Sequence, residues 1–289
     1  VAGLVIELVE DNLRLESAVV TAKENTNTAT TTRTIDKAAL EHIQLTNVSS
    51  ITGLLPGGTT SSPSLTSEQT ISLRGGGSFN TSIEVDGVRM SNNASFSSTS
   101  GVTTNNIASS NVESVEVITG VPSVEYGDLN SGMVRINTRK GRTPVNVTFT
   151  VNPRTYQTSV SKGIALDEDN GVLNISGEWA RAVKKLISPY ESYTRTGFTA
   201  NYSNTFRKVL RFEAGFTGNI GGMDTKDDPD AFTGEFRKER DNVFRGNTSL
   251  TWMLNRSWVT NLKFDASVNF NDNLSRYHKY ESFASNQPA

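Results

Sequence analysis

The chain has 289 residues and a formal net charge of −2, from 28 Lys and Arg against 30 Asp and Glu. This balance argues against a nucleic-acid-binding protein, whose basic surface would show in the totals. With no cysteine and two histidines, the chain lacks the material for a disulfide framework, a cysteine- or histidine-rich metal site, a thiol nucleophile or a Ser–His–carboxylate triad.

The chain opens on an apolar strand and not on a targeting segment. Residues 1–10 show no basic region and no cleavage site, so we expect the numbering to begin inside a larger, already processed protein. Further on, residues 25–33 consist mainly of Asn and Thr, a composition typical of a flexible tether.

Two short helices are predicted next. Asp36 is suited to cap a helix over 37–43, and Asn47 to cap a second over 48–55, because their short side chains can accept a hydrogen bond from the first turn. The sequence Pro56-Gly57-Gly58 ends the second helix.

The rest of the first half is predicted as strands joined by turns and loops. Asp86-Gly87 lies between two apolar runs and indicates a β-hairpin, because the primed turns require φ > 0. Gly75-Gly76-Gly77 is followed by neither Gly-Lys-Ser/Thr nor a helix, so it indicates a flexible loop and not a phosphate site. The Ser-, Thr- and Asn-rich tract 91–110 is predicted to be a long loop, either functional or disordered. Strands are expected at 70–74, 83–85, 88–90, 112–119 and 132–138.

The second half alternates apolar and polar residues with a period of two. This is the pattern of half-buried strands, and it is held over ten or more residues at several places. We predict strands at 145–151, 155–163, 171–183, 193–206, 209–221, 243–254 and 258–271.

Strand and loop lengths favour a membrane barrel over a soluble sandwich or lipocalin-like barrel. Soluble strands usually have about 5–6 residues, whereas most of these are about twice that length, and about 9–11 tilted residues cross a bilayer. Tight turns at 206–208 and 255–257 alternate with long charged segments at 184–192 and 222–242, the asymmetry of outer-membrane barrels. Aromatic residues expected in the membrane-interface girdles are Trp179, Tyr193, Phe206, Phe244, Trp252 and Trp258.

Seven strands do not close such a barrel. Closure removes exposed edges in lipid, and the strand number is usually even. We therefore expect the chain to be a fragment of a longer barrel protein.

An ordered set of motifs in the first half resembles the plug domain of TonB-dependent outer-membrane transporters. Because the motifs occur in order over about residues 16–141, the set is far more specific than any one piece. Leu129-Asn130-Ser131 departs from the small-residue run that usually follows Tyr-Gly in this family. The matching stretches are 71–75, 83–88, 112–120, 126–127 and 132–141.

The resemblance implies a fold class and a division into domains. The fold is an α+β plug domain followed by antiparallel transmembrane β-barrel strands, about seven in this partial barrel. An N-terminal carboxypeptidase-regulatory-like domain is common in importers of the starch-utilisation type and their relatives, which makes uptake of a glycan or a peptide the expected direction. The implied parts are the last strand of that domain at 1–15, the TonB box and tether at 16–34, the plug at 35–141 and the N-terminal part of the barrel at 142–289.

The segment Glu16-Ser17-Ala18-Val19-Val20-Thr21-Ala22 resembles a TonB box. Alternating β-branched residues on a tether suit β-augmentation, in which the box adds as a strand to the periplasmic partner through main-chain hydrogen bonds. Pulling on Val19 and Val20 would then open the plug. Judged by its pattern alone, such a run is more often an ordinary edge strand or linker strand. The motifs further along the chain favour the TonB box.

The resemblance also implies two groups of functional residues. The charged plug positions are expected to pair with charged residues on the barrel wall, for which Arg211 and Glu213 are candidates. The alternative is that these charges lie on a solvated face of a strand. The plug-motif and gating positions are Arg74, Gly75, Asp86, Gly87, Glu113, Glu116, Gly120, Tyr126 and Gly127. The apical-loop positions expected to bind the incoming solute are Ser78, Phe79, Asn80, Asn92, Asn93 and Phe96.

One long loop is crowded with carboxylates. Calcium binding is chemically possible there, but EF-hand spacing and its glycine are missing, so a solvated acidic loop is favoured. We expect no metal site, no cofactor and no catalytic residue. The four acidic residues are Asp224, Asp227, Asp228 and Asp230.

The implied function is TonB-dependent active transport of an oligosaccharide, peptide or metal chelate across the outer membrane of a Gram-negative bacterium. Expected partners are the C-terminal domain of periplasmic TonB, outer-membrane lipid and the solute, with or without a surface lipoprotein that captures it, and no nucleic acid. The alternatives are a non-transporting adhesin or glycan-binding module at the cell surface and, third, a glycoside hydrolase. Hydrolysis is disfavoured because nothing marks two carboxylates as a facing pair.

Overall fold

The computed structural model describes residues 23–24, 31–55, 65–73, 80–90, 101–119, 132–167, 170–230 and 234–279. These residues form two sheets and two short helices. The first sheet contains β1 (Lys23–Glu24), β2 (Thr31–Asp36), β3 (Thr81–Val85), β4 (Val88–Arg89), β5 (Val112–Thr119) and β6 (Gly132–Thr138). The second contains β7 (Thr143–Asn152), β8 (Thr155–Asp167), β9 (Gly171–Val183), β10 (Glu191–Phe206), β11 (Leu210–Thr225), β12 (Glu235–Met253) and β13 (Asn261–Lys279).

The first sheet, with its helices and loops, is called the inner unit below. Its strand order is β1-β2-β5-β6-β3-β4, with β3 and β6 parallel. The helix α1 (Lys37–His42) and a 3₁₀ helix (Val48–Leu54) follow β2. Neither is long and apolar enough to cross a membrane, and the rest of the described chain contains no helix that is. The buried apolar core of the unit includes Ile35, Leu40, Val48, Ile51, Ile83, Val115, Val134 and Ile136.

The predicted helix caps are confirmed. Asp36 Oδ1 accepts a hydrogen bond from the Ala39 N–H at 3.0 Å, and Asn47 Oδ1 accepts one from the Ser49 N–H at 2.8 Å. Each bond satisfies a donor that the first helical turn leaves open. The second helix is of the tighter 3₁₀ type and ends at Leu54, one residue before the predicted end.

The predicted hairpin at Asp86-Gly87 is also confirmed. The two turn residues have φ of 48° and 83°, the left-handed values that a primed turn requires. The strand predicted at 70–74 is wrong for the described residues 70–73, because Thr70 makes only an isolated bridge, to Thr103. The backbone there is instead satisfied by the loop at 103–105, where the Thr104 N–H donates to the Gln69 carbonyl at 2.8 Å.

The second sheet, called the wall below, is an antiparallel meander in chain order from β7 to β13. All seven strands lie where they were predicted, and most run further. The long loop predicted at 222–242 is wrong in extent, because β11 continues to Thr225 and β12 begins at Glu235. In this region charged side chains continue the alternation with a period of two. They form ion pairs between neighbouring strands, as Arg240 does with Asp272 at 2.7 Å.

The outward face of the wall is apolar and the inward face is polar. Large outward side chains stay exposed on every strand, for example Phe149 at 71%. Such an extensive apolar surface is not typical of a soluble monomer and is suited to lipid. Girdle positions Trp179, Phe206, Trp252 and Trp258 are exposed as expected, whereas Phe244 lies midway along β12. Tyr193 was wrongly assigned to the girdle, since it faces inward and is 1% exposed.

The backbone of β8 lies very close to the chain where it leaves the inner unit and enters β7. A Cβ added to Gly163 would collide with the Gly141 carbonyl oxygen and lie 2.6 Å from the Thr143 backbone nitrogen. These are main-chain atoms at the entry to β7, which cannot swing away as a flexible side chain can.

We therefore expect Gly163→Ala to lower the free energy of unfolding by about 3 kcal/mol, at the upper end of overpacking costs. The matched control is Gly177→Ala on β9, where the nearest heavy atom to an added Cβ is a Val160 methyl at 4.0 Å. The stability of both variants is measured as the temperature at which the band of the folded protein disappears on semi-native gels. Equal transition temperatures for the two would contradict the assignment of this close approach.

Candidate functional site

Residues 101–111 of the inner unit lie against the inward face of the wall, and we call them the anchor segment. They form irregular structure, yet most of them are buried. The tract 91–110 was predicted to be a loop, functional or disordered. Its first ten residues lie outside the described part of the chain, and the remainder is a packed loop fixed by hydrogen bonds.

Arg195 on β10 makes the central contact with the anchor segment. Its side chain is fully buried, and Nη1 donates to the Asn105 carbonyl at 2.8 Å. Nε and Nη2 both donate to Glu178 Oε1, at 2.9 and 2.6 Å. The Tyr193 hydroxyl donates to the same Asn105 carbonyl at 3.0 Å. Charge-assisted hydrogen bonds of this kind are the strong ones, because one partner or both are ionised.

The second carboxylate oxygen of Glu178 extends this network along the anchor segment. Oε2 accepts from the Ser110 N–H and from Gln157 Nε2, both at 2.9 Å. Gln157 Nε2 also donates to Ser109 Oγ at 3.0 Å. Both carboxylate oxygens of Glu178 and all three nitrogens of the Arg195 guanidinium therefore make hydrogen bonds. Buried charges are tolerated when they are paired in this way.

A second buried contact lies on β12. Arg245 Nη2 donates to Asn106 Oδ1 at 2.7 Å, and Asn106 Nδ2 donates to Asp241 Oδ1 at 3.1 Å. All three residues are buried. Together with β8, β9 and β10, four wall strands thus hold four residues of the anchor segment, Asn105, Asn106, Ser109 and Ser110.

The predicted gating residues that the structure describes lie in the sheet of the inner unit and in its hairpin turn. The Asp86 carboxylate accepts from the Thr138 N–H at 3.0 Å and from Thr138 Oγ1 at 2.6 Å, and the Asp86 carbonyl accepts from Asn247 Nδ2 of β12 at 2.9 Å. Gly87 completes the turn, and Asn80 lies half-buried just before β3. Lying outside the described residues are Glu16, Ser17, Ala18, Val19, Val20, Thr21, Ala22, Arg74, Gly75, Ser78, Phe79, Asn92, Asn93, Phe96, Gly120, Tyr126 and Gly127.

The predicted charge partners on the wall are wrong for Glu113 and Glu116. Glu113 pairs with Arg139 at 3.4 Å and Glu116 with Arg135 at 3.2 Å, both inside the inner unit. Strand β6 supplies Arg135 directly beside β5, as the register pair of Glu116 with Arg135 shows, and Arg139 follows the last residue of β6.

The wall residue proposed as a partner, Glu213, meets a different charge. It pairs with Lys140 at 3.1 Å, at the exit of the inner unit, and with its neighbour Arg211 at 2.5 Å.

Asp224 lies at the end of β11, and Asp227 and Asp228 are held by hydrogen bonds within their own loop and to the loop that precedes β10. Asp227 Oδ1 accepts from the Gly234 N–H at 3.0 Å, and Asp228 accepts from Ser188 Oγ at 2.8 Å and from the Asp230 N–H at 3.0 Å. A search of the described residues found no group of three or more His, Asp or Glu that could hold a metal ion.

Comparison with known protein families finds a match over the inner unit. The family model of the TonB-dependent Receptor Plug Domain matches residues 24–134. No curated protein sequence matches the chain.

Solved receptors share the fold of most of the chain. The siderophore receptor PiuA from Acinetobacter baumannii superimposes with a TM-score of 0.55 at 13% identity, over 89% of this chain and 40% of that one. A mutant of the ferric enterobactin receptor PfeA from Pseudomonas aeruginosa, in complex with enterobactin, gives 0.54 at 18%, over 84% and 42%. The siderophore receptor PirA from Acinetobacter baumannii gives 0.52 at 16%, over 83% and 44%.

This chain spans 40–44% of the length of those structures. Residues 24–134 therefore match the TonB-dependent receptor plug domain, and the chain shares with the solved receptors the fold of such a domain joined to an antiparallel meander of seven strands.

Proposed function

We propose that the protein imports a solute across the outer membrane, that TonB supplies the force, and that the inner unit blocks the lumen between transport events. The observation that carries the proposal is the anchor segment, in which buried charged residues of the wall bind the inner unit on the inward face while the outward face is apolar. A surface binding module has no need of a separate domain fixed inside its own barrel.

The proposal includes the partners and domains that the sequence predicts. Residues 16–22 would bind the C-terminal domain of TonB as an added strand. Residues 1–15 would end a preceding domain, 16–34 would tether, 35–141 would gate, and 142–289 would begin the barrel. The solute belongs to one of three classes, metal chelates, oligosaccharides or peptides. The named relatives are siderophore receptors, which puts metal chelates first in the order of testing.

Uptake in a deletion strain tests the function. We expect cells with the full-length gene to accumulate one of three probes, a radio-iron catecholate chelate, a labelled maltooligosaccharide or a labelled peptide, at least tenfold above the deletion strain. A protonophore should abolish that accumulation, because the force is energy-dependent. The non-transporting surface module predicts extraction without detergent and no accumulation of any probe, and that combined outcome would overturn the proposal.

A further inference from the structure

We propose that the outward face of the wall binds one phosphorylated lipid, whose phosphate lies on β12 and β13 and whose acyl chain lies in a groove on the same face. This inference rests on the proposed function, because it requires the wall to span a membrane. The residues that would bind the phosphate are Lys238 and Arg276, called the basic pair below.

The basic pair brings two like charges together on neighbouring strands. Lys238 of β12 is directly opposite Arg276 of β13, and both side chains are exposed. They face outward, because the next residue of β12, Glu239, is buried on the inward face and successive side chains of a strand point to opposite faces. Like charges directly opposite each other destabilise a sheet. An anion held between the two strands would remove this repulsion.

The basic pair lacks a carboxylate partner within the described part of the chain. Asp272 of β13 is already bound to Arg240 at 2.7 Å. Asp224 of β11 is opposite Lys238 in the register but forms no ion pair with it, so three basic side chains face two acidic ones here. Guanidinium and ammonium groups bind phosphate by charge-assisted hydrogen bonds. The remaining positive charge is therefore suited to a phosphate group.

The basic pair lies just beyond the apolar belt of the wall. The outward residues of β13 from Leu262 to Phe270 are all apolar, and Asp272 is the first charged residue after them. The Phe270 ring stacks with that of Phe244 of β12, with 6.5 Å between the ring centroids. Aromatic residues border the apolar band of outer-membrane barrels, at the level of the lipid headgroups. The basic pair is therefore placed to meet a headgroup.

Loop lengths assign this headgroup to one leaflet. The long connection between Thr225 and Glu235 lies at the same end of the wall as the basic pair, whereas the tight turn between Phe206 and Leu210 lies at the other end. Outer-membrane barrels have short periplasmic turns and longer extracellular loops. The bound lipid would therefore belong to the outer leaflet.

An open groove of about 530 Å³ lies in the middle of the apolar belt. It is lined by outward residues that are opposite one another on neighbouring strands from β10 to β13, with small side chains between larger ones. A concave, apolar surface of this kind fits a hydrocarbon chain. The small residues are Ala200, Ala214, Gly246 and Ala266, and two of the larger ones are Tyr202 and Phe216.

The spacing along β12 allows one lipid to occupy both places. Gly246 in the groove lies eight residues from Lys238, which is ~26 Å along a strand. At the usual tilt of about 35–45° this becomes ~20 Å of depth in the membrane. Half of the hydrocarbon core is about 15 Å thick. An acyl chain attached to a headgroup at the basic pair therefore reaches the groove.

Lipid binding to the purified full-length protein in detergent tests the site. The probe is lipid A that carries both of its phosphates, and the comparison lipid is the same molecule without them. Native mass spectrometry counts the lipids bound at each concentration. We expect one lipid A to bind about tenfold more tightly than the phosphate-free lipid, or better, because one charge-assisted hydrogen bond is enough for that difference.

Two double variants test the basic pair. Lys238→Gln with Arg276→Gln should abolish the preference for the phosphorylated lipid, while both lipids still bind through the groove. The matched control is Arg207→Gln with Lys208→Gln, which also removes one arginine and one lysine, both exposed in the tight turn at the other end of the wall. It should leave the preference within about twofold of that of the parent, because surface changes away from a site have small effects.

Two leucine variants test the groove. Ala266→Leu fills part of it and should weaken the binding of both lipids about fivefold, since the acyl chain loses apolar contact area. Thr158→Leu is the control, because it adds the same side chain to the outward face on β8, outside the groove. The band of the folded protein on semi-native gels verifies the barrel of every variant.

Equal affinity of the two double variants for lipid A would overturn the proposal, and so would equal binding of the two lipids by the parent protein. A groove variant that binds both lipids as well as its control does would also overturn it. These measurements involve no transport. If lipid A binds as expected but no probe accumulates in cells, the proposed function fails and the lipid site stands. If a probe accumulates and the basic pair proves dispensable for binding, the lipid site fails and the function stands.

Discussion

Arg195→Met is expected to lower the free energy of unfolding by about 3–5 kcal/mol, the cost of breaking a buried ion pair by removing one partner. The substitution leaves the Glu178 carboxylate buried and without its counter-charge, and it frees the Asn105 carbonyl from its strongest donor. The loss is large because neither group can reach water while the anchor segment is seated. Urea unfolding of the detergent-solubilised protein, followed by tryptophan fluorescence, gives the change.

Two further variants separate lost charge from lost packing. Glu178→Gln added to Arg195→Met removes the stranded charge and keeps an oxygen acceptor for the Ser110 N–H, so it should recover a substantial part of the loss. Arg211→Met removes a guanidinium whose side chain is 62% exposed, and it should change the free energy of unfolding by no more than about 0.5 kcal/mol. If Arg195→Met matched Arg211→Met, the buried network would not hold the inner unit.

Val20→Pro is expected to reduce uptake to the level of the deletion strain. Proline has no N–H to donate and fixes its own φ, so a box that binds by adding a strand loses a main-chain hydrogen bond at the centre of the predicted contact. Initial uptake rates in energised cells, with equal amounts of receptor in the outer membrane, measure the effect.

Thr28→Pro is the matched control in the tether. It introduces the same residue eight positions further along, in a segment predicted to transmit force without pairing, and uptake should stay within about twofold of the parent. Normal uptake by Val20→Pro would show that residues 16–22 are a linker and not the docking strand.

Local chemistry made much of the fold predictable. Asp86-Gly87 specifies its turn because Gly87 takes left-handed φ without strain and Asp86 tolerates it. Asp36 and Asn47 specify helix starts because their side chains replace missing backbone acceptors. The wall strands were predictable because one face of each strand is apolar and the other is polar. Apolar and polar residues therefore alternate with a period of two along the whole strand.

The anchor contacts were not predictable from the sequence, because they join residues up to 139 positions apart. One signal was overlooked. Tyr193 shares its parity along β10 with Arg195 and Asn201, not with outward-facing Phe198. Parity therefore places Tyr193 inward, whereas its location near a strand end suggested the girdle. Glu113 and Glu116 were given wall partners because pairing within a sheet depends on strand order, which the motifs do not reveal.

The strand order of the inner unit also fixes when it can assemble. Strand β3 pairs with β6, and β2 pairs with β5, for instance Thr31 with Thr119. Closing such distant pairs costs chain entropy before any contact repays it. The wall, in contrast, is a series of hairpins between neighbours in sequence. The two halves of one chain thus have opposite folding demands: the wall strands can pair successively along the chain, whereas the inner unit cannot complete its sheet until β6 is present.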